Sequence, residues 1–322
     1  MKIIFCGTPE FALPSLNTLL TSKHQVLAVI TPPDRPAGRG KKLKPSAIKE
    51  AASTHNLPIL QPGKIGSADS LESMRQLNPD ALAVVAFGQL LPPPVLNLPR
   101  YGCINVHASL LPKYRGAAPI NWAIIRGETQ TGVCTMRLDK GMDTGDVILC
   151  KAVDIRSEET AGTLHDKLAP LGAQLLAETL DQIEANTALY HPQDHNSATY
   201  APLLDKSITI IDWKQSAEQI DCLVRGLNPY PGAKTFLDDL PLKILTVEIS
   251  KLASPALPGQ IIQQNRRQGI LVATGSAPIW LKTIQPANRQ PMTSGDFLSG
   301  LRESLINKEF RSPSPLGLNL QG

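Results

Sequence analysis

Residues 105–146 read NVHASLLPKYRGAAPINWAIIRGETQTGVCTMRLDKGMDTGD. They follow a run, YGCINVH at 101–107, that alternates apolar and polar residues after Gly102. That alternation predicts a short strand, and Asn105 and His107, two apart, share one of its faces. Pro112, Arg115 and Gly116 then make a constrained loop, of the kind that holds ligands when a rigid scaffold positions it. Open α/β sheets bind ligands beyond the carboxyl ends of their strands, and this is where the run delivers an amide and an imidazole. An Asn amide and a protonated His both donate to an oxygen gaining negative charge. A carboxylate beside the His would favour its charged form and fix its orientation. Asp143 is the candidate, because Gly141 and Gly145, two positions away on either side, permit a tight loop aimed back at the strand end. No hydroxyl or thiol here has a base spaced for nucleophilic catalysis.

Working outward, ALAVVA at 81–86 is a wholly apolar run, the mark of a strand buried on both faces of a parallel sheet. It ends at Phe87, Gly88, Gln89 and Leu90, beside the Asn105 strand if the sheet follows sequence order. At the amino end, 2–6 reads as a strand and 11–20 as a helix, with Thr8 as N-cap and Pro9 at the first helical position. Only one glycine marks that turn, so the three-glycine dinucleotide fingerprint is absent, which counts against a nicotinamide oxidoreductase. Strands at 25–31, 58–60, 132–138 and 147–155 alternate with helices at 46–55, 67–77 and 118–126. A helix at 160–185 should bend or divide at Pro170. The pattern is that of an open, mostly parallel, Rossmann-like α/β sheet.

Apolar periodicity then lapses. Residues 190–206 read as a linker between a first domain, 1–189, and a second, 207–322. His191 and His195 stand four apart without a helix or further ligands, so no metal is expected there. A strand at 208–213 and a helix at 216–227 precede short strands at 233–237, 243–249, 259–263, 270–274 and 279–284, a spacing that predicts a small closed or half-open barrel. The Pro-, Ser- and Gly-rich end, 311–322, reads as disordered.

The 322 residues carry a net charge of +4, which permits a polyanionic partner without requiring one. The basic charge has one local concentration. PPDRPAGRGKKLKP at 32–45 sets Arg35, Arg39, Lys41, Lys42 and Lys44 against Asp34, with prolines and glycines that exclude regular structure. Such a loop is either a solvated surface or a grip for phosphates. Five cysteines, at 6, 103, 134, 150 and 222, form no metal-spaced set and read as thiols of a reducing compartment. With no signal peptide and no long apolar run, a cytoplasmic protein is expected, with no membrane association and no obligate protein partner.

The stretch 105–146 as a whole resembles the signature of the folate-dependent formyltransferases, which move a formyl group from 10-formyltetrahydrofolate to an amine. The resemblance implies 10-formyltetrahydrofolate as the co-substrate and Asn105, His107 and Asp143 as the catalytic trio; no metal is expected. It further implies that Ser109, Leu110, Leu111 and Pro112 contact the folate, and that Phe87, Gly88, Gln89 and Leu90 help hold its pterin ring. The loop at 35–44 resembles an insertion found in members that act on methionyl-tRNA, implying initiator methionyl-tRNA as partner and an OB-like second domain that touches it. Formylation of a sugar nucleotide, a purine precursor or another small amine, or hydrolysis of the folate, are alternatives within the same chemistry. A non-catalytic RNA-binding protein is disfavoured by the intact trio.

Overall fold

The computed structural model describes residues 1–37, 42–238 and 240–311. Arg39, Lys41 and the terminal stretch from 312 lie outside them. Two units result: Met1–Pro119 with Gln130–Asp154 and His165–Pro202, and Ile120–Thr129 with Ile155–Leu164 and the residues from Leu203 onward.

The first unit is built on strands β1 (Lys2–Gly7), β2 (Gln25–Ile30), β5 (Ile59–Leu60), β6 (Ala81–Val85), β7 (Cys103–His107), β9 (Gln130–Arg137) and β10 (Val147–Asp154). They form one sheet in the order β10-β9-β7-β6-β1-β2-β5. The five strands from β7 to β5 run parallel, and β9 and β10 add an antiparallel edge. The apolar run of β6 is buried along its whole length, as is β1 from Ile3 onward, so neither strand needs a polar face. Sequence order reverses direction between β1 and β6, which opens a crevice at their carboxyl ends.

Helices α1 (Leu13–Leu20), α2 (Ala47–Thr54), α3 (Ala68–Leu77) and α4 (Pro93–Leu96) lie between these strands in the chain. Ser46 and Ser67 cap α2 and α3 by accepting from the Lys49 and Ser70 amides. Thr8 is not the N-cap its position predicts. Pro9 starts a single 3-10 turn, Glu10–Ala12, and the Thr8 hydroxyl instead donates to the Phe87 carbonyl at 2.9 Å.

Two further elements depart from expectation. The basic loop contains an antiparallel pair, β3 (Arg35–Ala37) and β4 (Lys42–Lys44), with Arg35 opposite Lys44. Its proline is admissible because a two-stranded pair has an outer edge that needs no N–H. After the short helix α5 (Pro119–Ile125), helix α6 (Ala161–Glu184) continues undivided for 24 residues across Pro170. Interior proline costs about 3 kcal/mol, whereas each fully buried leucine returns roughly 1.5–3. Leu168, Leu176 and Leu180 of α6 are fully buried and outweigh the missing hydrogen bond.

Two of the five cysteines are not free thiols. Cys134 on β9 and Cys150 on β10 are register partners with Cα atoms 4.1 Å apart, joined as a disulfide. Spacing along the chain hides this, because pairing is set by strand register. Cys6 and Cys103 remain thiols, and burial pushes both up, Cys103 to about 12.

In the second unit, the antiparallel strands β12 (Ala233–Leu237), β13 (Leu240–Ile249), β14 (Ile261–Asn265), β15 (Gly269–Val272), β16 (Ile279–Pro286), β17 (Met292–Thr293) and β18 (Phe310–Arg311) form one sheet. Register shifts between β13 and β16 and between β14 and β15 bend it. Helix α7 (Ala217–Gly226) begins with a capping box of Ser216 and Gln219 and buries Ile220 and Val224 in the sheet's core. A further short helix, α8 (Ser294–Ser299), follows β17. Residues 208–213 are not a strand: only Ile210 bridges, to Lys234. Trp213 serves the core, stacked on Phe310 and donating to the Thr235 hydroxyl at 3.0 Å. Among the described residues no helix is long and apolar enough to cross a membrane.

Candidate active site

His107 is the last residue of β7, and its imidazole is almost fully buried. Its Nε2 lies 2.9 Å from the Tyr114 carbonyl oxygen. A carbonyl only accepts, so Nε2 carries a hydrogen and the ring orientation is fixed by the loop that follows. The other nitrogen, Nδ1, faces Asp143 Oδ2 at 3.6 Å. That is ion-pair distance but longer than a good hydrogen bond, so an incoming group can engage both atoms. Asn105, two residues back on the same strand face, is half-buried beside them. The carboxylate expected from the glycine-flanked loop thus meets His107, while the orienting partner is a backbone carbonyl that residue types do not announce.

Asp143 is reached through a strained loop. Its φ is +53°, in the left-handed region, which costs a non-glycine residue on the order of 1 kcal/mol or more. Asp139 organises the approach, its Oδ1 accepting from the Gly141 amide and the Thr144 hydroxyl. Asp143 Oδ2 also accepts the Gly116 N–H at 2.8 Å, which ties this loop to the one after β7. Gly116 sits at φ +118°, and a Cβ there would come 2.8 Å from the Ala201 carbonyl oxygen, so only glycine fits.

The loop from Ser109 to Pro112 turns directly beside this cluster. Ser109 is fully buried and donates to the Lys113 carbonyl at 2.6 Å, and the Leu111–Pro112 bond is cis. Leu110, Leu111 and Pro112 are half-buried. Residues 115–116 then form strand β8 (Arg115–Gly116), parallel to β11 (Tyr200–Ala201). One strand over, beyond β6, Phe87 is buried, Gly88 has φ +80° and Leu90 is 77 % exposed. The Gln89 side chain accepts the Ile65 amide at 3.0 Å.

Arg35, Lys64, Gln89 and Leu90 line a cleft of about 560 Å³, which brings one residue of the basic loop to the residues expected near the pterin. Arg35 and Lys44 are exposed, and Asp34 at the loop's base is pinned by Lys49 Nζ at 2.7 Å and by Gln61, the hydrogen bond from Lys49 coming first in holding its carboxyl below the usual range.

Sequence reasoning missed a buried layer behind Asp143. Arg115, only 1 % exposed, donates through Nε and Nη2 to Gln193 Oε1 at 3.1 and 2.7 Å. Gln193 Nε2 donates onward to the carbonyls of Asp143 and Gly145, at 2.9 and 2.7 Å. Nη1 of Arg115 also meets His195 Nδ1 at 3.2 Å, and the Thr199 hydroxyl accepts the Tyr114 amide at 2.8 Å. Gln193, His195 and Thr199 come from the stretch without periodicity; of the three only Gln193 is buried, and no pattern marks it as such.

Residues 1–180 match the family model described as formyl transferase, and residues 203–302 match that of the formyl transferase C-terminal domain. The chain belongs to the formyl transferase family. Within it, the chain is similar to a protein of Citrifermentans bemidjiense named methionyl-tRNA formyltransferase, 46 % identical over 302 residues and 94 % of each chain. The fold is similar to that of WlaRD, a sugar 3N-formyl transferase solved in the presence of dTDP and 5-N-formyl-THF. Identity is 19 %, coverage 90 % of this formyl transferase and 99 % of WlaRD, and TM-score 0.65. HypX from Aquifex aeolicus in complex with tetrahydrofolic acid shares the fold at 17 % identity and a TM-score of 0.64. The match covers 94 % of this chain and about half, 48 %, of HypX.

Proposed function

We propose that the protein transfers the formyl group of 10-formyltetrahydrofolate to the free amine of methionyl initiator tRNA, giving N-formylmethionyl-tRNA for translation initiation in the cytoplasm. The observation that carries this reading is the placing of His107 and Asp143 3.6 Å apart at the end of β7, in a chain 46 % identical along 94 % of its length to a protein named for that reaction.

In this reading the neutral amine attacks the formyl carbon. Asn105 and protonated His107, through the Nδ1 edge, donate to the oxyanion that forms. Asp143 pairs with the imidazolium and accepts the proton that the amine loses. The carbon–nitrogen bond to the folate then breaks, and that proton passes through water to the departing nitrogen. Ser109, Leu110, Leu111 and Pro112 contact the folate, and Phe87, Gly88, Gln89 and Leu90 hold its pterin. The fit rests on the apolar side chains of buried Phe87 and half-buried Leu110, Leu111 and Pro112, together with backbone groups of the two segments, the usual lining of a small-molecule site.

Arg35, Arg39, Lys41, Lys42 and Lys44 grip tRNA phosphates in the same reading. The chain is organised as a catalytic domain at 1–189, a linker at 190–206 and an OB-like tRNA-binding domain at 207–322, in which 12 Lys and Arg stand against 9 Asp and Glu. The test is formyl transfer to methionyl initiator tRNA, beside methionyl elongator tRNA and an amino-sugar nucleotide. Selective formylation of the initiator is expected. Transfer only to the sugar would keep the site and overturn the tRNA assignment.

A further inference from the structure

The trio needs a carboxylate held at one point in space, yet Asp143 sits in a loop whose own backbone is in an unfavourable conformation. From the front, Gly116 grips the carboxylate. From behind, Gln193 bonds the carbonyls of both Asp143 and Gly145 with a single side-chain amide. We propose that Arg115 and Gln193 are positioning residues that lock the Asp143 loop against His107. The proposal rests on the formyl-transfer reading and adds to it the part that sets the geometry of the trio.

The geometry of the pair is one-directional. An amide can point either its oxygen or its nitrogen at the carbonyls. Arg115 has only donors, and two of them converge on Oε1, so Nε2 must face the loop. The guanidinium thereby acts as a key for the amide's orientation. Its burial makes that preference strong, because a donor left unpaired in the interior is costly. Arg115 also belongs to the segment that supplies the Tyr114 carbonyl to His107 and the Gly116 N–H to Asp143. One buried unit therefore sets both members of the His107–Asp143 pair, and displacements of about 1 Å at such a pair cost on the order of 100-fold in rate.

The discriminating substitution is Gln193→Glu. It keeps the acceptor for Arg115 and replaces the donor by an oxygen aimed at two carbonyl oxygens, so the loop is pushed away while the buried cation stays paired. Gln193→Met is the second variant, of similar length and without charge. Each is made in the wild type and in Asp143→Asn, and kcat, both KM values and hydrogen exchange of the Gly116 amide are measured. Expected are a 10- to 100-fold lower kcat with both KM values within about threefold, faster Gly116 exchange, and less than a twofold further loss in Asp143→Asn, since residues acting as a unit are not additive. A full multiplicative loss in the Asp143→Asn background, unchanged kcat, or unchanged Gly116 exchange would overturn the proposal. If the wild type transfers no formyl group, the functional reading fails, and the exchange measurement still decides whether Gln193 holds the loop.

Discussion

Asp143 Oδ2 accepts the Gly116 N–H at 2.8 Å while standing 3.6 Å from His107 Nδ1. The same oxygen thus has one tight partner and one loose one, and the looser side faces the strand end where substrate would lie. His107→Ala and Asp143→Asn should each lower kcat by about 100- to 1,000-fold, the usual cost of losing a preorganised group at a developing charge. Michaelis constants should stay within a few fold. Steady-state kinetics with both substrates varied checks this, and near-normal turnover in either variant would remove the pair from the chemistry.

The basic loop makes a separate claim. Replacing Arg39, Lys41 and Lys42 by Ala should raise the KM for tRNA several-fold and leave that for the folate unchanged. The salt dependence should flatten by roughly 0.9 in log–log slope for each phosphate that is no longer neutralised. A KM for tRNA that responds to salt as in the wild type would return the loop to a merely solvated surface.

The central sheet and the approach of Asp143 to His107 were legible because both rest on local chemistry: a fully apolar run at 81–85, an alternation ending at His107, and glycines bracketing Asp143. What stayed hidden depends on partners far along the chain. Gln193 lies 78 residues from Arg115 and 50 from Asp143, and nothing in HPQDHNSATY marks it as buried. Pro170 reads as a break until the packing of Leu168, Leu176 and Leu180 is known. Residues 208–213 look like a strand because Ile211 and Trp213 are core residues, but burial and strand pairing are different properties.

Cys134 and Cys150 give a chemical test of strand register. Alkylation of the denatured, unreduced protein should label three cysteines, 6, 103 and 222, and reduction should expose all five. The bridge spans 16 positions, and closing a loop of about that length stabilises by roughly 3 kcal/mol in the chain-entropy view. Reduction should therefore lower the melting temperature. Labelling of five cysteines without reductant would show that the pair is not joined in solution.

His24 adds a pH dependence of stability. Burial is the first cause lowering its pKa, followed by the Met1 ammonium, with Asp181 and Glu184 opposing. Its Nδ1 lies 3.2 Å from that amine, and its Nε2 is 3.2 Å from Asp181 Oδ1 but off the line a hydrogen bond requires. A histidine with a depressed folded pKa leaves the unfolded chain binding more protons at mildly acid pH. The stability it confers is present above about pH 6.5 and falls away as pH drops through the folded pKa. Glu184, held low first by its hydrogen bond from the same amine, acts only in a lower window, below its ordinary 4.5. Denaturant unfolding from pH 8 to 5 should show a steeper decline for the wild type than for His24→Asn, and parallel curves would refute the assignment.

Thr8 provides the sharpest separation between the two substrates. Its hydroxyl crosses the point where strand order reverses and donates to the carbonyl of Phe87, the first residue of the segment expected at the pterin. Thr8→Val keeps the shape and removes the donor, at a net cost near 1 kcal/mol for a neutral hydrogen bond. If that bond sets the height of the Phe87 to Leu90 segment, the loss falls on folate binding, about fivefold in its Kd at that energy. Binding of tRNA should not change, because no residue of the basic loop bonds to Thr8 through its side chain among the described residues. Equilibrium titration of each substrate checks the split. An equal weakening of both, or of tRNA alone, would mean that the hydrogen bond serves the sheet and not the pterin segment.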